Sequence, residues 1–488
     1  MDLNELRREI DDLDEKIVAL FCCRMEVADQ IGAYKREHHM PVLQPQREAE
    51  KLDRVEALAG AELGPYVRTL YTDMMGLSRA YQERPLFGLL GRTLGHSYSP
   101  RIHALLGGYD YRLYPREPEA VESFLRNGPL SGMNVTMPYK KTVIPFLDEL
   151  SPVAQRLGAV NTIVRREGNR LVGYNTDYAG FRFLVKKSGL DPKGKKCLVL
   201  GTGGASVTVR AVLEEMGAQV VVISRRGENH YGNLHRHRDA AILVNATPVG
   251  MYPDTGISPV DLDAFPMLEG VLDVVYNPAR TKLILDAEAR GIPALGGLWM
   301  LVAQARESAE WFLNTTISDE KVEQIHRILQ SEMENIVLIG MPGCGKSTTA
   351  RLLQERLPDR VLVEIDAEIE KAAGKPVAEL IAQEGEDAFR AWETRVLAVF
   401  GARSGQILST GGGCVTREEN YPLIHQNGRI FWLHRDLESL PTSGRPLSRQ
   451  TGVAELYRQR RDLYQRFADE QVDSLDVEAI LAGMGGPV

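Results

Sequence analysis

Apolar residues recur along the first segment of the chain at Leu3, Leu6, Ile10, Leu13, Ile17 and Leu20, and again at Val27, Ile31 and Tyr34. The steps alternate three and four, the spacing of a helix that presents one apolar seam to a second helix. No break interrupts the run from Leu3 to Tyr34, so the pattern predicts a long helix packed against a partner chain. Residues 1–83 contain helical patterns only. From Pro85 onward, short β-rich runs such as LVLG (198–201) and VVVIS (220–224) alternate with helical stretches. That alternation predicts parallel α/β structure. The polar helical run DEKVEQIHRILQSEMEN (319–335) closes this block, and a new strand beginning at Ile336 enters a glycine loop. The expected architecture is multidomain: all-α over 1–83, α/β over 84–333, and a second α/β domain over 334–488. Neither junction is a long Gly/Ser or Pro-rich linker, so the domains should sit close together.

Length agrees with that division, since 488 residues correspond to about three domains. A hydrophobic fraction of 43% and a charged fraction of 25% are those of ordinary soluble protein. The net charge of −8 argues against a general nucleic-acid or membrane-surface role but leaves room for local basic pockets. The N-terminus is acidic and amphipathic, without the basic and apolar regions of a signal peptide, and no apolar run is long enough to span a membrane. A cytoplasmic location is expected. Cys22, Cys23, Cys197, Cys344 and Cys414 form neither metal-type pairs nor a disulfide framework.

Two cations interrupt the N-terminal seam. Arg24 takes the position after Leu20, and Lys35 follows eleven residues later, three turns along the same face. Cations on an apolar seam are costly unless anions pair with them. The bland alternative is a coiled-coil helix whose long side chains snorkel. LNELRREIDDLDEKIVALFCCRMEVADQIGAYK followed by PVLQPQREAEKL resembles the all-helical bacterial chorismate mutases, an intertwined dimer of three-helix subunits. The resemblance implies that Arg7, Arg24 and Arg47 bind substrate carboxylates, with Arg7 supplied by the partner subunit. It implies that Lys35 and Gln82 donate to the ether oxygen, that Glu48 accepts from the substrate hydroxyl, and that Ser78 also contacts substrate. These types suit a pericyclic rearrangement, which needs no nucleophile but requires a clamped dicarboxylate and stabilisation of charge growing on one oxygen. Gln44 departs from the family, where Asp is frequent.

In the central block, GTGGAS (201–206) lies between a strand and a helix. Glycine-rich turns of this kind bind phosphate through free backbone N–H groups and the helix dipole. The next strand ends in Ser224-Arg225-Arg226, where an NAD site would place an acidic residue. Arginine there favours the 2′-phosphate of NADP, unless both are simply solvated. GHSYSP (95–100), NVTMPYK (134–140), GAVNT (158–162), YNTDYAG (174–180), NATPVGM (245–251), DVVYNP (273–278) and GGLWMLVAQA (296–305) accompany it in order. Together they resemble shikimate dehydrogenase over 85–333. The resemblance implies a substrate part over about 85–190 plus C-terminal helices and an NADP-binding Rossmann part over about 191–297. It implies that Ser97, Ser99, Thr136, Asn161 and Gln304 bind substrate, that Lys140 and Asp177 form the catalytic pair, and that Gly201, Gly203, Gly204, Ala205, Ser206, Ser224, Arg225 and Arg226 hold the cofactor. A lysine beside a ketone oxygen suits general-acid catalysis, and a carboxylate suits its orientation. One departure is the short stretch between Arg226 and Asn245; its His235 and His237 read as a solvated turn rather than a metal site.

NIVLIGMPGCGKSTTARLL (335–353) satisfies the P-loop pattern with Gly340, Gly345, Lys346 and Ser347. Its backbone cradles phosphates, Lys346 reaches the terminal phosphates and Ser347 ligates Mg²⁺. Gly343, Cys344 and Thr348 complete the loop. EIDAEIE (364–370), GEDAFRAWE (385–393), TGGG (410–413), GRPL (444–447) and RRDLYQRFA (460–468) make the segment resemble shikimate kinase over 335–482. The resemblance implies that Asp366 accepts or orients the acceptor hydroxyl. It implies that Arg390, Gly411, Gly412, Gly413 and Arg460 bind the acceptor and that Arg445 lies over the phosphates. Glu364 stands at the metal-binding position where the family more often has Asp.

The three resemblances imply one chain that reduces 3-dehydroshikimate to shikimate, phosphorylates shikimate, and rearranges chorismate to prephenate. NADP(H), ATP and Mg²⁺ are the expected cofactors, and a homodimer through the helical segment is the expected assembly. Two alternatives stand beside this. The helical segment could be a non-catalytic dimerisation or regulatory module. The dehydrogenase and kinase could act on quinate or another small hydroxylated acid.

Overall fold

In a computed structural model that describes residues 2–38, 40–95, 97–128, 130–440 and 452–485, the seam forms one helix, Leu3–Glu37. Asp2 caps it: its carboxylate accepts from the Asn4 and Glu5 backbones while Glu5 reaches back to Asp2 N. A second helical stretch, Pro45–Glu83, starts with Pro at its first position and breaks at Gly60, whose φ of 76° lies in the left-handed region. The block is therefore three helical segments, as expected. The apolar positions of the seam are left open: Leu3, Ile10, Leu13, Ile17, Leu20 and Val27 are all exposed, Leu20 by 71%.

The first sheet has the order β2-β1-β3-β5-β6-β4, with β1 Leu86–Gly91, β2 Asp110–Pro115, β3 Gly132–Val135, β4 Glu149–Leu150, β5 Thr162–Arg166 and β6 Arg170–Tyr174. β1 pairs in parallel with β2 and β3, and β3 pairs antiparallel with β5. The second sheet is parallel, ordered β11-β10-β9-β7-β8, from β7 Lys196–Leu200, β8 Gln219–Ile223, β9 Ile242–Asn245, β10 Gly270–Asp273 and β11 Ala294–Leu295. Along β7, Cys197 and Val199 enter one buried cluster while Leu198 and Leu200 enter another, the period-two signature of a strand covered on both faces. The crossover from β8 to β9 holds a 3₁₀ helix, Tyr231–His237, in place of an α-helix, which accounts for the short sequence there. The third sheet, also parallel, runs β13-β14-β12-β15-β16, from β12 Asn335–Ile339, β13 Val361–Glu364, β14 Gln406–Ser409, β15 Gly428–His434 and β16 Glu470–Asp473. Ile336, Val337, Leu338 and Ile339 are all fully buried, so the central strand reads as an unbroken apolar run.

The chain divides into two compact units. The first comprises Met1–Pro100, Gly108–Glu149 and Thr162–Gly173; the second comprises Arg101–Gly107, Leu150–Asn161 and Tyr174–Val488. In the first, a charge cluster ties the helices to β2: Asp29 pairs with Arg84 at 3.1 Å and Arg112 at 2.6 Å, and both arginines also meet Asp110. The second holds both parallel sheets. Its Asn427, 1% exposed, accepts from Ala279 N at 2.8 Å and donates to Ala402 O at 2.8 Å. Arg280 N donates to Gln426 O, and its guanidinium donates to His425 O at 3.0 Å.

Candidate active sites

The most complete constellation surrounds the P-loop. The loop leaves β12 at Gly340, whose φ is 144°, and turns into the helix Lys346–Arg356 at Gly345, whose φ is 108°. Lys346, 8% exposed, donates to Gly340 O at 2.9 Å and Met341 O at 3.1 Å, so its ammonium is folded back on its own loop. Cys344 is buried as a small filler. Ser347 Oγ donates to Glu364 Oε2 at 2.9 Å, so the longer carboxylate side chain still meets the hydroxyl. Glu364 ends β13 and Asp366 lies in the first turn of the following helix, Ile365–Ala373. Burial raises the Asp366 carboxyl pKa, opposed by the charges of Lys346 and Arg390.

One cleft of about 480 Å³ joins these groups: Gly343, Gly345, Lys346, Ser347, Thr348, Glu364, Asp366, Arg390, Gly411–Gly413 and Arg460 all line it. The three glycines after β14 permit close approach. A Cβ on Gly411 would fall 2.4 Å from Glu393 Oε1, one on Gly412 2.7 Å from the Pro342 ring, and one on Gly413 2.1 Å from the Arg390 guanidinium. Arg460 donates to Gly412 O at 3.0 Å. Sequence reasoning missed Glu393, which is fully buried and bonds Arg390 at 2.7 Å, and Tyr464, whose hydroxyl donates to Gly412 O. Glu393 sits three residues after Arg390 on one helix face, a spacing that could have flagged the pair. It also missed Arg435 on the cleft wall. Arg445 lies outside the described residues.

In the helical segment, Lys35 is 9% exposed and donates to Val42 O at 2.6 Å. Arg24 donates to Ser78 Oγ, which donates to Met74 O. Gln82 Oε1 is buried without a hydrogen-bond partner among the described residues. Gly32 admits this packing, since a Cβ there would lie 2.9 Å from Gln82 Cγ. Glu48 pairs with Arg79, a cation the sequence reading did not single out. Arg7 and Arg47 are exposed, and Gln44 precedes the second helical stretch without a side-chain cap bond.

The central-block residues fall in both units. In the first, Ser97 Oγ accepts from Ser99 N at 3.2 Å, Thr136 N donates to Leu90 O just past β3, and Lys140 is half-buried. Tyr111 donates to Asn134 Oδ1 at 2.8 Å, and Asn134 donates to Thr162 at 3.0 Å. In the second, Asn161 Oδ1 accepts from Thr176 N at 2.7 Å, and Thr176 Oγ1 also meets Gln304 and Ser308. Asp177 follows as the first residue of the helix Asp177–Ser188. Gly180 lets that helix press on the helix Leu298–Leu313, since a Cβ would fall 2.7 Å from Met300 O.

The glycine turn after β7 has Gly201 at φ 104°, and Gly203 caps the helix Gly204–Glu215, which starts with Gly204 and Ala205. Gly203 and Gly204 are exposed, and nothing lies within 4 Å of a Cβ built on either. Ser206 is buried and donates to Gly201 O at 2.6 Å, bracing the turn from behind. Ser224 donates to Arg226 O, and Arg225 and Arg226 are exposed past β8. His237 departs from the solvated turn expected of it. It is 7% exposed, bonds Asn229 at 3.1 Å, and has its pKa lowered by burial.

A parallel sheet with an open glycine turn and a second parallel sheet with a complete P-loop define a multidomain nucleotide-using enzyme. Comparison with known proteins is specific. Family models match chorismate mutase type II at residues 6–83, the shikimate dehydrogenase substrate binding domain at 89–163, and shikimate kinase at 342–480. A shikimate dehydrogenase (NADP(+)) of Clostridium perfringens is 35% identical over 268 residues, spanning 50% of this chain and 98% of its own. One of Moorella thermoacetica is 34% identical over 279 residues, 51% of this chain and 93% of its own. Among solved structures, a chorismate mutase/shikimate 5-dehydrogenase fusion protein from Clostridium acetobutylicum is 34% identical, covering 51% of this chain and 98% of that one, with a TM-score of 0.48. The chain belongs to the shikimate dehydrogenase family and carries chorismate mutase and shikimate kinase domains with it, the set of a trifunctional shikimate-pathway enzyme.

Proposed function

We propose that the chain reduces 3-dehydroshikimate with NADPH, phosphorylates shikimate with ATP and rearranges chorismate to prephenate, with these activities on 84–333, 334–488 and 1–83 respectively. The observation that carries this reading is the single cleft uniting the P-loop with Asp366, Arg390, the Gly411–Gly413 turn and Arg460. In phosphorylation, Arg390 and Arg460 hold the acceptor carboxylate and Asp366 orients the hydroxyl. Its oxygen bonds to the terminal phosphorus as the bridging oxygen departs with ADP, and the hydroxyl proton passes to Asp366. Lys346 turns from its loop carbonyls to the phosphates. Ser347 and Glu364, both oxygen donors, suit Mg²⁺ and would hold it; the ion neutralises phosphate charge when bound.

In ketone reduction, the exposed helix start at Gly203 and Gly204 receives the cofactor pyrophosphate, and Arg225 and Arg226 take the 2′-phosphate. NADPH supplies the hydride. Lys140 gives the ketone oxygen its proton, Asp177 is the accompanying carboxylate, and Ser97, Ser99, Thr136, Asn161 and Gln304 bind the substrate. In the mutase reaction, Arg7, Arg24, Arg47 and Ser78 bind chorismate, Lys35 and Gln82 stabilise the ether oxygen, and Glu48 takes the hydroxyl. The exposed seam from Leu3 to Tyr34 is covered by a second copy of the chain, making a homodimer. No helix among the described residues is long and apolar enough to cross a membrane, which supports a cytoplasmic location.

One reaction tests the first two activities. Protein mixed with 3-dehydroshikimate, NADPH and MgATP should consume NADPH and yield shikimate 3-phosphate by mass-resolved product analysis. Folded protein that consumes no NADPH would overturn the dehydrogenase reading. Shikimate accumulating unphosphorylated would overturn the kinase reading.

A further inference from the structure

The placement of Arg435 assigns it a role that none of the sequence motifs carries. β12, which feeds the P-loop, lies between β14 and β15, and all three strands are parallel. Ligands of such sheets bind beyond the carboxyl ends of the strands. On one side, β14 runs into Gly411–Gly413 against Arg390 and Arg460, the groups proposed to hold the acceptor. On the other side, β15 ends at His434, and the next residue is Arg435. Its backbone neighbourhood touches the phosphate loop: a Cβ on Gly340 would meet Leu433 O at 2.7 Å.

The side chain reaches the same cleft as Lys346 and Thr348. Its Nε donates to Ser439 Oγ at 3.1 Å, which anchors one edge of the guanidinium. No carboxylate among the described residues pairs with it, whereas Arg390 is neutralised by Glu386 and Glu393. An anchored guanidinium without a counter-ion, on the phosphate-loop side of the cleft, is suited to a phosphate oxygen.

We propose that Arg435 binds the polyphosphate of the nucleotide donor, on the wall opposite the acceptor. This rests on the kinase reading above. The test is steady-state kinase kinetics of Arg435→Ala and Arg435→Lys in the full chain, with MgATP and shikimate varied separately and ketone reduction as a folding control. A charge-assisted contact of this kind predicts that Arg435→Ala raises KM for MgATP roughly tenfold or more. KM for shikimate and ketone reduction should stay unchanged, and Arg435→Lys should recover part of the loss. A KM for MgATP within about twofold of wild type in Arg435→Ala would overturn the proposal. So would a rise confined to KM for shikimate, which would move Arg435 to the acceptor. If wild-type protein does not phosphorylate shikimate at all, the kinase reading fails instead.

Discussion

Asn427 seals the two parallel sheets of the second unit together, and its removal should be costly. The side chain is 1% exposed and stands just before β15. Its carbonyl oxygen accepts from Ala279 N at 2.8 Å, on the dehydrogenase side, and its amide donates to Ala402 O at 2.8 Å, on the kinase side. Its backbone carbonyl accepts from Asn335 N at 2.7 Å, so β12 is fixed by the same residue. Asn427→Ala deletes three side-chain hydrogen bonds, the third a longer one of 3.4 Å to Arg403 O, each worth about 1 kcal/mol or less, and takes these partners from the Ala279 N–H and the Ala402 carbonyl, at about 1–3 kcal/mol each. These overlap, and the net loss should be roughly 2–5 kcal/mol.

Urea unfolding followed by both activities reads this out. With slopes of about 1–3 kcal/mol/M or steeper, the midpoint should fall by roughly 1 M. Ketone reduction and phosphorylation should fail earlier together, because the residue joins both sheets. An Asn427→Ala protein whose midpoints stay within experimental scatter of wild type would refute the reasoning, as would a shift in the kinase transition alone.

Lys346→Ala should lower phosphorylation by at least about a hundredfold and leave ketone reduction intact, while Lys140→Ala should do the reverse; paired assays on one preparation check both. Gly413→Ala places a Cβ 2.1 Å from the Arg390 guanidinium and should raise KM for shikimate about tenfold with KM for MgATP unmoved. Asp273 is buried among Asn245, Val275 N and Thr281, and burial pushes its carboxyl from 3.8 up to about 7. The folded state then holds a proton that the unfolded chain releases near pH 4. Stability from this group is therefore full below about pH 4 and lost as pH rises to about 7. Asp273→Asn should flatten the difference between denaturation midpoints at about pH 5 and about pH 8.

The parts of these sites that the sequence made legible are those whose chemistry forces a local pattern. A phosphate loop needs left-handed residues at fixed offsets, and Gly340 and Gly345 take φ of 144° and 108°. The Gly411–Gly413 run is legible for a related reason, since any Cβ there would strike Pro342, Glu393 or Arg390. The helical seam was legible because period fixes a face, and its apolar positions from Leu3 to Val27 lie exposed along that face. What escaped were polar residues whose partners are distant in sequence. Arg79 meets Glu48 from 31 positions away, and Asn427 meets Ala279 from 148. No periodicity marks such residues, because each is selected by a single tertiary contact. His237 shows the same limit from the other side. Its neighbours His235, Arg236 and Arg238 are polar, so the segment reads as solvated. The 3₁₀ turn nevertheless rotates that one ring inward onto Asn229. Arg435 differs from both kinds, because its position follows from strand order. Only once β15 is known to lie beside the P-loop strand does the residue after it become a phosphate-side cation. Topology, which local pattern does not encode, thus turns an ordinary surface arginine into a candidate ligand group.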